Sequence, residues 1–171
     1  IAVGTSTGYS AITPQVLDFI KYPHLFAPTV EYVSNAAQNW NNLRGELYQF
    51  NVRYVYEDHS KSAWSPISKV PLPQGDEFMN GSYNENQTIN NGINIEFSAG
   101  SPEVVRVEIG VREGNIGDFL LVDQLEKYDQ DGNYMFKTAT TGNYIFKNNV
   151  VRTGLDQDVV DRLFDYVPQP T

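Results

Sequence analysis

A chain of 171 residues with 40% hydrophobic and 13% aromatic side chains is long enough for one large domain or two small ones, and apolar enough to exclude general disorder. A net charge of −9 with scattered Lys and Arg disfavours binding to nucleic-acid backbones, and the absence of cysteine excludes disulfides, thiolate catalysis and cysteine metal sites. No apolar run approaches the roughly 20 residues of a membrane-spanning helix, no signal-peptide pattern is visible, and a chain opening on Ile1 reads as a fragment or processed product.

Residues 1–25 form a small, polar lead-in that ends near Pro23 and contributes a helical turn or a strand. Residues 26–35 read as an opening strand, with Val30 and Tyr32 on one face and Glu31 and Val33 on the other. Residues 36–45 are a polar connection around Trp40. The clearest aromatic pattern follows. Tyr48, Phe50, Val52, Tyr54 and Tyr56 recur at period two, which sets five large side chains on one strand face. Asp58 to Ser62 turn the chain, and residues 63–70 return as a second strand interrupted by Pro66, which lacks a ladder donor. An aromatic strand face of this kind needs a second sheet to cover it, so the expected architecture is a β-sandwich.

Residues 74–91 are polar and rich in Asn and Gly, and read as a linker or long loop between two units. The second unit, 92–154, starts with Ile93, Ile95 and Phe97 alternating against Asn94 and Glu96. Val105, Val107, Ile109 and Val111 then face one side, with Arg106, Glu108 and Arg112 opposite. Opposed charges on that outer face are placed to pair across strands. Further strands are expected at 118–129, after Asp131-Gly132-Asn133, and after Thr140-Thr141-Gly142. Residues 155–164 are the best helix candidate, capped by Asp156 or Asp158, and Pro168 ends it in an exit segment. The fold class expected is all-β: two small β-sandwich-like units, 26–73 and 92–154, with a short C-terminal helix in 155–171.

Little in the chain points to chemistry. His24 follows a proline and His59 sits in a turn, and ordinary exposed or boundary roles are expected for both. No GxSxG elbow is present, so serine hydrolysis has no sequence support. Asp129 and Asp131 stand in a run that superficially matches a calcium loop, but Tyr134 and Thr140 occupy the places where an EF-hand needs Gly and Glu. No catalytic residue, cofactor site or metal site is expected. Asn86-Gln87-Thr88 fits the N-glycosylation acceptor pattern, which matters only on a eukaryotic secretory route. The remaining candidates are aromatics in polar segments, Trp40, Tyr83, Tyr9 and Tyr22, which suit an interface or a ligand contact.

The segment YQFNVRYVYEDHSKSAWSPISKVPL resembles the last two strands of a fibronectin type III-like domain. Its Tyr-x-Phe-x-Val run looks like the penultimate strand, and Ser62-Ala63-Trp64-Ser65-Pro66 like the opening of the final one. That resemblance implies a fibronectin-like first unit. Residues 26–73 are too few for a complete one, so it borrows strands from 1–25, from another region or from another subunit. More widely, the succession LRGELYQFNVRYVYEDHSKSAWSPISKVPLP, NNGINIEFSAGSPEVVRVEIGVREGN and DRLFDYVPQ resembles large structural proteins of tailed bacteriophages, crAss-like phages and relatives infecting Bacteroidetes. The resemblance implies a non-enzymatic virion component of the tail or head–tail region, assembled in the bacterial cytoplasm. Its implied partners are other virion proteins and copies of itself, without sequence-specific nucleic-acid binding or membrane insertion. The alternative is a carbohydrate- or receptor-binding β-sandwich module that takes a glycan, or an accessory module of a larger enzyme.

Overall fold

The computed structural model describes residues 21–74 and 86–154, and every regular element in them is a β-strand. The strands are β1 (Thr29–Val33), β2 (Tyr48–Tyr56), β3 (Gly92–Ser98), β4 (Val104–Glu113), β5 (Leu120–Glu126), β6 (Thr141–Phe146) and the two-residue β7 (Thr153–Gly154). They form a three-stranded sheet in the order β1-β3-β6 and a four-stranded sheet in the order β2-β4-β5-β7. All pairings are antiparallel.

The alternation in β2 and β4 sets the core. Tyr48, Phe50 and Val52 from β2 and Val107, Ile109 and Val111 from β4 are fully buried. Ile93, Ile95 and Phe146 from the other sheet close over them. The Phe146 ring lies 5.2 Å from that of Tyr48 and 5.3 Å from that of Phe50, both edge-on. Such T-shaped contacts add to the roughly 1.5–3 kcal/mol that each buried large apolar side chain contributes. Gly142 on β6 is required by the same packing, because a Cβ there would overlap the Phe97 ring.

This architecture corrects the division into units 26–73 and 92–154. β1 pairs with β3, with Tyr32 opposite Ile93. β2 pairs along its whole length with β4, from Tyr48 opposite Glu113 to Tyr56 opposite Val104. Each sheet therefore takes strands from both sides of residues 75–85, and the described residues form one sandwich. The physical reason is that β1 and β2 find no ladder partner in each other. The aromatic face of β2 is covered by residues that come later in the chain. The proposed linker 74–91 is corrected in part for the same reason, since Gln74 and Asn86–Asn91 are bonded into the sandwich (below). The lead-in 1–20, most of the loop, and the C-terminal helix and exit segment expected in 155–171 lie outside the described residues.

Candidate functional site

The edge of β2 is where local sequence departs furthest from ordinary strand pairing. Residues 62–70 run back along β2 as expected, but they form no regular strand. Ser62, Ser65 and Ser68 are buried while most residues between them are exposed or half-buried. Their backbone N–H groups donate to the carbonyls of Tyr54 (2.9 Å), Val52 (2.8 Å) and Phe50 (2.8 Å). An ordinary antiparallel rung would return a bond from the β2 amide to a backbone carbonyl. Here the amides of Tyr54, Val52 and Phe50 donate instead to the serine Oγ atoms, at 3.0, 3.0 and 2.9 Å. Each hydroxyl in turn donates to the next carbonyl, Ala63, Pro66 or Lys69. Three residues on the returning segment match two on β2, so every rung carries one extra residue, a bulge repeated in register. This is how Pro66 is tolerated: its position falls between rungs, where no donor is needed. The result is an edge on which the outward backbone groups of Phe50, Val52 and Tyr54 are all bonded.

Between the rungs, Trp64 folds over the outer face of the four-stranded sheet. The Arg53 guanidinium lies 4.5 Å from its ring centroid. Arg53 Nε also donates to Glu108 Oε2 at 2.5 Å, and Lys61 Nζ lies 3.2 Å from the other carboxylate oxygen. Glu108 is essentially inaccessible (1% exposed), so its charge is held by the two cations rather than by water. Arg53 stands directly opposite Glu108, and Arg106 opposite Glu126, the cross-strand charge pairing expected for β4. Gly110, opposite Asn51, has no room for a Cβ, which would overlap Asn51 Oδ1 and touch Trp64.

One end of the sandwich is bound by amide side chains. Asn91 is fully buried. Its Oδ1 accepts the Asn35 N–H at 2.8 Å, and its Nδ2 donates to the carbonyls of Asn35 (3.0 Å) and Gln38 (2.9 Å). Gln38 Nε2 donates to the carbonyls of Trp40 and Asn91, and Asn41 Nδ2 to those of Ile89 and Asn90. Asn90 is tied to Ser34 and Gln74. The polar run around Trp40 is therefore a set of caps for backbone groups, as buried amides must be. Beside this network lies an open cleft of about 320 Å³ whose lining includes Val33, Asn35, Gln38, Ile145 and Lys147. Gln38 Oε1 is enclosed without a partner next to it.

The opposite end is pinned by His24. The ring is 4% exposed, not at the boundary as the sequence suggested. Its Nδ1 lies 2.5 Å from the Phe26 carbonyl, and its Nε2 accepts the Ser98 N–H at 2.9 Å. That pattern fixes the neutral tautomer with the proton on Nδ1. Burial lowers the His24 pKa, with the Phe26 carbonyl opposing the shift. The Tyr56 hydroxyl donates to the Tyr22 carbonyl at 2.8 Å on the same side. Lys127 is also buried, its Nζ donating to the carbonyls of Ser101 (2.6 Å) and Gly100 (3.3 Å), and burial lowers its pKa.

Of the four aromatics singled out from the sequence, the two among the described residues, Trp40 and Tyr22, do not converge. Trp40 sits at the amide-bound end and is 36% exposed, whereas Tyr22 is 64% exposed at the His24 end. Tyr9 and Tyr83 lie outside the described residues. His59 is exposed in the turn after β2 with a left-handed backbone. In the loop that superficially matched a calcium site, the Asp129 carboxylate accepts the N–H groups of Asp131 and Asn133 and the Asn133 amide. Those bonds lower its pKa, the Asn133 side chain most strongly. Among the described residues no group of three or more His, Asp or Glu side chains is placed to hold a metal ion. Asn86, in the glycosylation-type triplet, accepts both the N–H and the hydroxyl of Thr88 on its own Oδ1.

Compared with protein-family models, curated proteins and solved structures, the chain matches none.

Proposed function

We propose that this chain is a non-enzymatic structural component of a phage virion, acting in the tail or head–tail region through its sheet edges and loops. The single observation that carries this reading is the unequal treatment of the edges. The β2 edge is sealed by the Ser62, Ser65 and Ser68 ladder, while both long edges of the three-stranded sheet, β1 and β6, end in strands with no further partner among the described residues. Proteins normally blunt such edges, and a module that assembles into a larger body uses them. The likeness of the chain to structural proteins of tailed phages supplies the setting. The serine-bearing segment, which runs beside β2 without forming a regular strand, lies outermost. Copies of the chain and other virion proteins are the partners. Mass spectrometry of purified particles tests the proposal: peptides of this chain in fixed ratio to capsid or tail proteins support it, and their absence from intact particles refutes it.

The cleft beside the amide network favours recognition of a glycan as the second reading, since amide and lysine side chains over an apolar floor of Val33 and Ile145 suit a sugar. A glycan screen with and without calcium, repeated on Lys147→Ala in the cleft lining, separates it from assembly. Reproducible binding lost in the variant favours recognition.

A further inference from the structure

The edges of the three-stranded sheet differ in a way that selects a partner. β1 carries Glu31 at its centre, exposed, with Pro28 just before the strand. A charge and a proline are standard guards against edge pairing. β6 reads Thr141-Gly142-Asn143-Tyr144-Ile145-Phe146, with no charge and no proline, and its register to β3 is unbroken from Thr141 to Phe146. Among the described residues, the ladder to β3 is the only backbone pairing of Gly142–Phe146. Asn143 and Ile145 are exposed, and Tyr144 is half-buried at the open side of the core.

From these features we infer that β6 pairs antiparallel with β6 of a second copy, joining two three-stranded sheets into one of six strands. The chain carries a net charge of −9, so two copies repel except where their own charge is absent. β6 is such a place. A two-fold axis at Tyr144 sets Asn143 opposite the second copy's Ile145 and Gly142 opposite its Phe146, with no like charges facing. The same operation on β1 brings two copies of Glu31 together, which is unfavourable. A two-fold closed pair is also the commonest symmetry for copies of one chain, and the strand-to-strand contact is ordinary β-augmentation. The inference rests on the assembly reading and names the partner for one edge.

Sedimentation equilibrium on the full chain tests it, read as mass against the 19.3 kDa of one copy. The wild-type chain is expected to reach twice that mass as concentration rises. Asn143→Lys with Ile145→Lys places lysines of both copies beside the axis and is expected to weaken dimerisation by at least about tenfold, with an unchanged far-UV circular dichroism spectrum. The single variant Asn143→Glu, an exposed-site change, is expected to act in the same direction. Glu31→Lys leaves the dimer intact. A wild-type chain that stays monomeric overturns the inference, as does a dimer that survives the β6 variants or is lost in Glu31→Lys. If the chain is monomeric yet found in purified particles, the β6 contact fails while the assembly reading stands.

Discussion

Replacing Ser65 by Ala tests the serine ladder at its middle rung. The change removes one oxygen and with it two hydrogen bonds, the Val52 N–H to Oγ at 3.0 Å and the hydroxyl to the Pro66 carbonyl at 2.9 Å. The Pro66 side is exposed, so water replaces the second partner. The Val52 amide has no such replacement, because Val52 is fully buried and Ser65 is 5% exposed. Leaving a buried donor without an acceptor costs about 1–3 kcal/mol. The expected loss is therefore about 2 kcal/mol, which for a chain of this size lowers Tm by roughly 4–8 °C. Urea denaturation followed by tryptophan fluorescence and circular dichroism gives the loss directly, with an unchanged denaturant slope. Ile67→Ala is the control. It deletes more apolar atoms, but Ile67 is 44% exposed between rungs, and the expected change stays within about 0.5 kcal/mol. A Ser65→Ala variant as stable as the wild-type chain refutes the ladder as the device that seals β2.

Gly110→Ala is expected to destabilise by about 1–3 kcal/mol in the same denaturation assay, because its Cβ overlaps Asn51 Oδ1 under Trp64. Arg53→Met leaves the buried Glu108 with Lys61 alone, and a loss of about 2–4 kcal/mol is expected. The additional variant Glu108→Gln should recover part of that loss in a double-mutant cycle. His24 makes stability depend on pH. Its folded pKa is lowered from 6.5, so the unfolded chain takes up the proton first. The stability it contributes is complete above about pH 6.5 and is lost as pH falls through the folded pKa, when Nε2 would carry a proton facing the Ser98 N–H. Denaturation midpoints measured from about pH 7 to about pH 5.5 should decline in the wild-type chain and stay nearly flat in His24→Gln.

The strands with strict alternation were legible in the sequence. β2, β3 and most of β4 follow from their period-two patterns, and the outer charges of β4 pair as expected; at the start of β4 a register shift puts Val104 in the core in place of the expected Val105. Strand partnership was not legible, because alternation says which face is buried and not which strand lies alongside. The polar run 86–91 looked like part of a linker because Asn and Gln are common in loops. In the fold, the side chains of Asn90 and Asn91 instead satisfy backbone groups of Gln74, Asn35 and Gln38. The serine ladder left a signal that a period-two reading passes over. Ser62, Ser65, Ser68 and Pro71 are buried at intervals of three, a spacing suited to a bulged strand and not to a regular one. His24 gave no sequence signal, since its partners, the Phe26 carbonyl and the Ser98 amide, are backbone groups. Of the candidate aromatics, Trp40 and Tyr22 lie at opposite ends of the sandwich, a separation that spacing in the sequence does not reveal.

A single sandwich, sealed along β2 and open along β6, is tested most directly by residue-resolved amide hydrogen exchange over a range of protein concentrations. The amides of Phe50, Val52 and Tyr54, bonded only to serine hydroxyls, should exchange as slowly as those of β4, through global unfolding alone. Amides within Gly142–Phe146 that do not bond to β3 should exchange rapidly in dilute solution and slow as concentration rises. Rapid exchange at Phe50, Val52 and Tyr54, or exchange along β6 that ignores concentration, would contradict it.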